Sequence, residues 1–196
     1  MRIGIIGTGQ VGNSLATGLA DAGHEVMLGS RDPEQSRLLG WVEGDSSHRQ
    51  VGRPRDAALF GEIVIIAIPG RLLPELPDVI GRDALDGKVV VDVTNPFARN
   101  EAGETVDFYG DDDSGAELLQ REFPRGSVVK AFNQIAAAVM LRPADSAIDL
   151  LRIAGDDEEA KRRVAELAQA FGWKIRDLGP LKRARALEHG VIRQFR

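Results

Sequence analysis

The chain has 196 residues, no cysteine and a formal charge of −5. That length suits one domain able to bury roughly 70% of its unfolded surface, and the missing cysteines exclude disulfides, thiolate nucleophiles and cysteine-held zinc. The acidic balance argues against a nucleic-acid partner, and no apolar run approaches the ~20 residues that cross a bilayer, so a cytoplasmic protein without a membrane partner is expected.

Apolar runs and helical stretches alternate along the chain, the pattern of a parallel sheet covered by helices. RIGIIG (2–7) reads as a buried first strand and residues 10–22 as a helix, with Val11, Leu15 and Leu19 on one face and Gly23 as its stop. EVMLG (25–29) is the second strand, and Asp32-Pro33 predicts the cap and first turn of a helix over 31–41. Residues 44–55 leave room for a short third strand. IVIIAI (63–68) and KVVVDV (88–93) are continuous apolar strands, and 97–113 reads as a long acidic loop. SVVKAF (127–132) predicts a strand, QIAAAVML (134–141) a helix, and DLLRIAG (149–155) another strand. The clearest helix is 157–171, with Val164, Leu167, Ala168 and Phe171 in one stripe. WKIRDLG (173–179) is the last strand, and a terminal helix over 180–195, broken near Gly190, carries Leu181, Ala184, Leu187 and Val191 on one face. That stripe either closes the core or forms a homodimer contact. No repeat or linker divides the sequence.

Gly7-Thr8-Gly9-Gln10-Val11-Gly12 fits G-x-G-x-x-G between a strand and a helix, the context that makes the motif a dinucleotide fingerprint. Gly7 permits the tight turn, Gly9 lets backbone approach a pyrophosphate, and Gly12 lets helix and strand pack closely. The pyrophosphate then sits on free N–H groups at the helix's positive end. In NAD binders an acidic side chain ends the second strand; here Ser30 and Arg31 stand there. Ser30 can hydrogen-bond a 2′-phosphate and Arg31 can grip it with a planar fork, so NADP(H) is expected. Arg37 is either a second positive charge for that phosphate or a solvated helix residue, and Asp32 reads as a helix cap.

Elsewhere the sequence speaks by exclusion. His24, His48 and His189 lack metal-ligand spacing, and no metal site is expected. Tyr109, the single tyrosine, has Asp113 rather than lysine four residues on, which argues against short-chain dehydrogenase chemistry. Asp111–Asp113 read as a solvated loop and Asp156–Glu159 as a helix start. Gly87-Lys88 reads as a turn before a strand. Lys130 is the one titratable group kept under watch, with a strand edge as its plainer reading. No catalytic side chain is assigned. Hydride transfer from nicotinamide to a flavin-like ring needs mainly alignment and exclusion of water, whereas alcohol oxidation normally needs a general acid or base.

Gly7–Gly12, Gly29-Ser30-Arg31, Ala67-Ile68-Pro69, VVVDVTNP (89–96), VVKAFNQI (128–135) and AGDDEEAK (154–161) occur in that order. Together they resemble the NADP oxidoreductases that use a deazaflavin, coenzyme F420, and equally the cytosolic reductase domain of the STEAP metalloreductases. The resemblance runs from Arg2 to about Glu188. It implies that Thr8, Gly9, Gln10 and Val11 hold the pyrophosphate through backbone groups and that Ser30 and Arg31 bind the 2′-phosphate. Ile68 and Pro69 are implied near the adenosine-side ribose and Asn95 near the nicotinamide half. Asn133, Ile135, Ala136 and Ala137 are implied against the nicotinamide itself, with the acceptor ring stacked on it. The metalloreductases continue into a membrane domain and the archaeal deazaflavin enzymes into a longer helical segment, which leaves the acceptor pocket and dimer contacts open. Lys182, Arg183 and Arg185 either meet an acidic cofactor tail or form a solvated helix face.

The expectation is therefore a Rossmann-type, doubly wound α/β fold with a mainly parallel sheet. Residues 1–179 form the NADP(H)-binding domain, and 180–196 a short helical segment suited to a dimer contact. NADP(H) crosses the carboxyl ends of the strands, at the switch between the first and fourth. The expected activity is hydride transfer between NADP(H) and a small-molecule acceptor such as FMN, FAD or F420, with ferric reduction downstream of a flavin. A non-catalytic NADP(H)-binding redox sensor and a small-molecule dehydrogenase are the competing readings; turnover with a ring acceptor separates them.

Overall fold

The computed structural model describes residues 1–102, 104–110, 112–146 and 149–192. Along the chain come β1 (Arg2–Ile6), α1 (Gln10–Asp21), β2 (Glu25–Gly29), α2 (Ser36–Glu43), β3 (Arg49–Gly52), α3 (Pro54–Phe60) and β4 (Ile63–Ile66). A 3-10 turn, Gly70–Glu75, leads into α4 (Leu76–Ile80), followed by β5 (Val89–Asp92), β6 (Phe97–Arg99), β7 (Thr105–Asp107), α5 (Gly115–Glu122) and β8 (Ser127–Lys130). After 3-10 turns at Ala137–Val139 and Pro143–Asp145 come β9 (Leu150–Gly155), α6 (Glu158–Gln169), β10 (Lys174–Asp177), a 3-10 turn at Leu181–Arg183 and α7 (Ala184–Ile192).

Among the described residues one sheet has the order β10-β9-β8-β5-β4-β1-β2-β3. β3, β2, β1, β4, β5 and β8 run parallel, while β9 returns antiparallel to β8 and carries β10 parallel to itself. β1, β4 and β5 are buried on both faces, which is why they read as unbroken Val/Ile runs. The order reverses between β1 and β4, so the ends of β1, β2, β4, β5 and β8 meet at one rim where a ligand cleft opens.

Several segments differ from the sequence expectation. Residues 134–141 form no α-helix, only the 3-10 turn at Ala137–Val139. Phe132 takes φ 61 and Ala136 an extended ψ of 138°, because this segment must turn β8 back into β9 while burying Ile135 and Met140; packing overrides helix propensity here. Within 97–113, β6 and β7 pair as an antiparallel ribbon. The helix expected over 31–41 starts later, at Ser36, with Gln35 rather than Asp32 at its N-cap. α3, α4 and α5 were not anticipated. Leu181, Ala184, Leu187 and Val191 are all buried in the chain's own interior. Asp111 and the expected helix end at 193–195 lie outside the described residues.

Candidate functional site

The turn from β1 into α1 is built as its glycines require. Gly7 has φ +119, and a Cβ there would lie 2.3 Å from the Ala67 carbonyl oxygen. A Cβ on Gly12 would lie 2.0 Å from the Gly7 oxygen, so helix and turn touch backbone to backbone. A Cβ on Gly9 would meet nothing within 4 Å, leaving that backbone open to a ligand. Asn13 Nδ2 donates to the Thr8 and Gly9 carbonyls at 2.6 and 3.0 Å and fixes the turn. α1 has neither a side-chain cap nor an acidic residue in its first turn, whereas α5 and α6 have both. Its leading N–H groups and the positive end of its dipole therefore remain available to an anion. Gln10 and Val11 begin that first turn.

A cleft of about 260 Å³ starts here, lined by Gly7, Ser30, Arg31, Pro54, Ile68 and Pro69 among others. At its β2 end the Ser30 hydroxyl donates to the Asp32 carbonyl at 2.8 Å and accepts from the Asp32 N–H at 3.1 Å. Ser30 is thus buried inside the turn that presents the exposed Arg31. Arg37 Nη2 donates to the Thr8 carbonyl at 3.1 Å, and Arg53 Nη1 donates to the Arg31 carbonyl at 2.6 Å. Three exposed arginines thus border the cleft, Arg31 in its lining and Arg37 and Arg53 bonded to lining residues, and among the described residues none of them forms an ion pair. Arg53 was not anticipated. Its signal was the Gly52-Arg53-Pro54 turn, which places it at the N-cap of α3 beside the end of β2.

Asn95 and Asn133 do not line this cleft; they follow the ends of β5 and β8 on the same rim. Asn95 Nδ2 donates to the Asn133 carbonyl at 2.9 Å, and Asn133 Nδ2 returns a bond to Asn95 Oδ1 at 3.1 Å. Asn133 Nδ2 also reaches the Leu187 carbonyl at 3.2 Å, tying the rim to α7. Ile135 is buried beneath this rim, Ala136 is exposed, and Ala137 is half-buried on the side facing α1.

Below the asparagines lies a charged cluster. Lys130 Nζ is fully buried, 2.8 Å from Asp92 Oδ2, 2.5 Å from Glu188 Oε1 and 2.7 Å from the Thr94 carbonyl. Lys130 does mark the edge of its strand, as the last residue of β8, but β8 lies inside the sheet between β5 and β9, so the lysine is buried. Burial opposes the lysine's charge, but Asp92 and Glu188 outweigh it and hold the ammonium above its ordinary value. Burial pushes the Glu188 carboxyl up, against the opposing pull of Lys130. Gly115 N–H donates to the other Glu188 oxygen at 3.1 Å. Asp92 and Glu188 escaped sequence reasoning because the cluster joins residues from β5, β8 and α7.

The sequence profile of the family described as NADP oxidoreductase, coenzyme F420-dependent, matches residues 2–96. The F420-dependent NADP reductase of Methanothermobacter marburgensis is 34% identical over 202 residues, covering 96% of this chain and 88% of that protein. The chain belongs to this family. A solved structure described as a putative F420-dependent NADP-reductase from Arthrobacter sp. FB24 superposes with a TM-score of 0.90 at 32% identity, covering 97% of this chain and 90% of that one. Metalloreductase STEAP3 of Rattus norvegicus is 36% identical over 95% of this chain, and the chain spans 36% of that protein's length. The description of that family names NADP as its dinucleotide. The uncapped helix, the open backbone at Gly9 and the unpaired arginines fit the phosphates of such a dinucleotide. Among the described residues no helix is long and apolar enough to cross a membrane.

Proposed function

We propose that this protein transfers hydride between NADP(H) and the ring of a deazaflavin or flavin, with coenzyme F420 as the first acceptor to test. The observation that carries the dinucleotide half is the cleft running from the uncapped end of α1 to Arg31, Arg37 and Arg53. In this reading Thr8, Gly9, Gln10 and Val11 receive the pyrophosphate on backbone N–H groups. Arg31, Arg37 and Arg53 surround the 2′-phosphate. Ser30 chiefly shapes their turn, because its hydroxyl is already engaged by Asp32. Ile68 and Pro69 support the adenosine-side ribose.

The nicotinamide half lies along the β5 and β8 ends. Asn95, Asn133, Ala136 and Ala137 face it, and Ile135 supports the segment from below. When bound, NADPH supplies a hydride from its nicotinamide C4, leaving NADP⁺; the acceptor ring gains two electrons, and a solvent proton completes its reduction. The chain's contribution is to align two flat rings and exclude water, which needs no acid–base side chain at the rim.

The family membership supports F420 as acceptor. The identity to STEAP3 supports a second reading, in which a flavin accepts the hydride and passes electrons to a ferric chelate. Anaerobic NADPH oxidation with F420, FMN, FAD and riboflavin, each with and without ferric chelate and with NADH as control, tests both. Turnover with NADPH preferred is expected. Tight NADPH binding without reduction of any acceptor would favour a redox-sensing module instead.

A further inference from the structure

On the far side of Asn133 from the cleft lies a second pocket, of about 400 Å³, walled by Gln134, Arg152, Arg176, Leu178, Leu187 and Gly190 among others. Its floor follows from strand periodicity. In β9, Leu151 and Ile153 enter the core packed by α6, so Arg152 points to the opposite face. In β10, Ile175 packs against that same core and Arg176 takes the opposite face. The two strands are parallel with Arg176 in register with Arg152. Two guanidinium groups therefore rise side by side from neighbouring strands, an arrangement of like charges that weakens a sheet unless something neutralises it.

Nothing within the described protein does so. Among the described residues neither Arg152 nor Arg176 forms an ion pair, although most other arginines of β-strands and helices do. Arg152 spends one donor, Nη1, on Gln134 Oε1 at 3.1 Å. The rest of its fork is free for a ligand. Gln134 in turn sits next to Asn133, and both amides reach the Leu187 carbonyl, at 3.4 and 3.2 Å. The pocket thus opens one residue from the rim to which the nicotinamide is assigned. Arg185 of α7 does not compete for this role, being held by Glu117 in a two-point pair at 2.7 and 2.8 Å.

We propose that Arg152 and Arg176 form a subsite for the anionic, phosphate-bearing tail of the ring acceptor, so that the ring lies against the nicotinamide while its tail runs over Gln134 toward β9 and β10. The identity of the ring rests on the proposed function; the phosphate grip does not. Arginine forks suit a phosphate mono- or diester, and a tail of this kind is common to FMN and F420 and absent from riboflavin and from the deazaflavin chromophore without its side chain.

The test pairs tailed with tail-less rings in the full chain saturated with NADP⁺, reading the ring's own fluorescence as it binds. Arg176→Gln is exposed and leaves the Gln134 contact intact; Arg152→Gln/Arg176→Gln removes the whole subsite. Each lost charge-assisted contact should raise the Kd for FMN and F420 about tenfold or more. Binding of riboflavin and of the tail-less deazaflavin should stay within about twofold, as should NADPH affinity and kcat at saturating acceptor. Equal losses for tailed and tail-less rings would reduce the arginines to a structural role, and unchanged binding of the tailed rings, or a wild type indifferent to the tail, would remove the subsite. Tail-dependent binding in a protein that reduces none of these rings would leave the subsite standing and overturn the proposed function.

Discussion

Asn95 and Asn133, from loops following different strands, clasp each other reciprocally: each side-chain amide donates to the other residue, at 2.9 and 3.1 Å. Asn133 stands directly after Phe132, whose φ of 61 holds a bulky residue in the left-handed region. Such strain persists where surrounding contacts enforce it, and it gathers at functional sites. Asn95→Ala should therefore misplace the nicotinamide end rather than release the cofactor. We expect kcat to fall at least about tenfold while NADPH affinity changes less than about twofold, read by steady-state kinetics beside equilibrium titration. A proportional loss of NADPH affinity would move Asn95 to a general binding role.

The arginine end of the cleft predicts the opposite split. Arg31→Ala should raise the Kd for NADPH by roughly ten- to a hundredfold and leave the Kd for NADH nearly unchanged. Arg53→Ala should act in the same direction, because its guanidinium braces the Arg31 carbonyl at 2.6 Å. Ser30→Ala should cost less selectivity than either, its hydroxyl being turned into the loop. Equal losses for both dinucleotides would sink the 2′-phosphate assignment.

Two glycines of one motif should fail in different ways. A Cβ at Gly12 would sit 2.0 Å from a backbone oxygen, so Gly12→Ala should lower Tm markedly. A Cβ at Gly9 meets no protein atom within 4 Å, so Gly9→Ala should fold normally and weaken NADP(H) binding by intruding on the pyrophosphate. Thermal melts with and without NADP⁺ distinguish the two; a stable Gly9→Ala protein with wild-type affinity would place the pyrophosphate elsewhere.

This motif was legible because its information is local: strand, turn, helix and second strand adjoin in sequence, and the glycine spacing is dictated by backbone contact. α5 had a local signature too, an N-cap Ser114 whose Oγ accepts from the Glu117 N–H at 3.2 Å, but its helix is short and its buried face small. The 134–141 segment misled because Ala, Met and Leu favour a helix in isolation, while Ile135 and Met140 must enter the core from a reversing chain. The turn at Gly52-Arg53-Pro54 is local, but its place beside Arg31 follows from the pairing of β2 with β3, and Glu188 meets Lys130 only through the packing of α7.

The buried cluster under the rim carries a pH signature. Lys130→Met leaves Asp92 and Glu188 without the ammonium that lies between them, at a cost of about 3–5 kcal/mol near neutral pH. Glu188 already binds its proton more tightly in the folded protein than an ordinary carboxyl does, because it is buried. A raised folded value contributes stability that is present at low pH and lost as pH rises through that value. Without Lys130 opposing the rise, the variant should be least unstable in acid and weaken as pH rises through the raised Glu188 value, seen as a falling Tm relative to wild type. Adding Glu188→Gln should flatten the profile. A Tm deficit independent of pH would mean the lysine acts through packing alone.

The central claim, direct hydride transfer from NADPH to a ring held by this chain, is tested most directly by isotope. NADPH carrying deuterium at the transferred C4 position is mixed anaerobically with F420 and stoichiometric protein, and the reduced ring is analysed by mass spectrometry. The account predicts reduction in a single turnover with one deuterium retained on the ring carbon that accepts it. Reduction without retained deuterium, or no reduction in a protein that binds NADPH tightly, would contradict it.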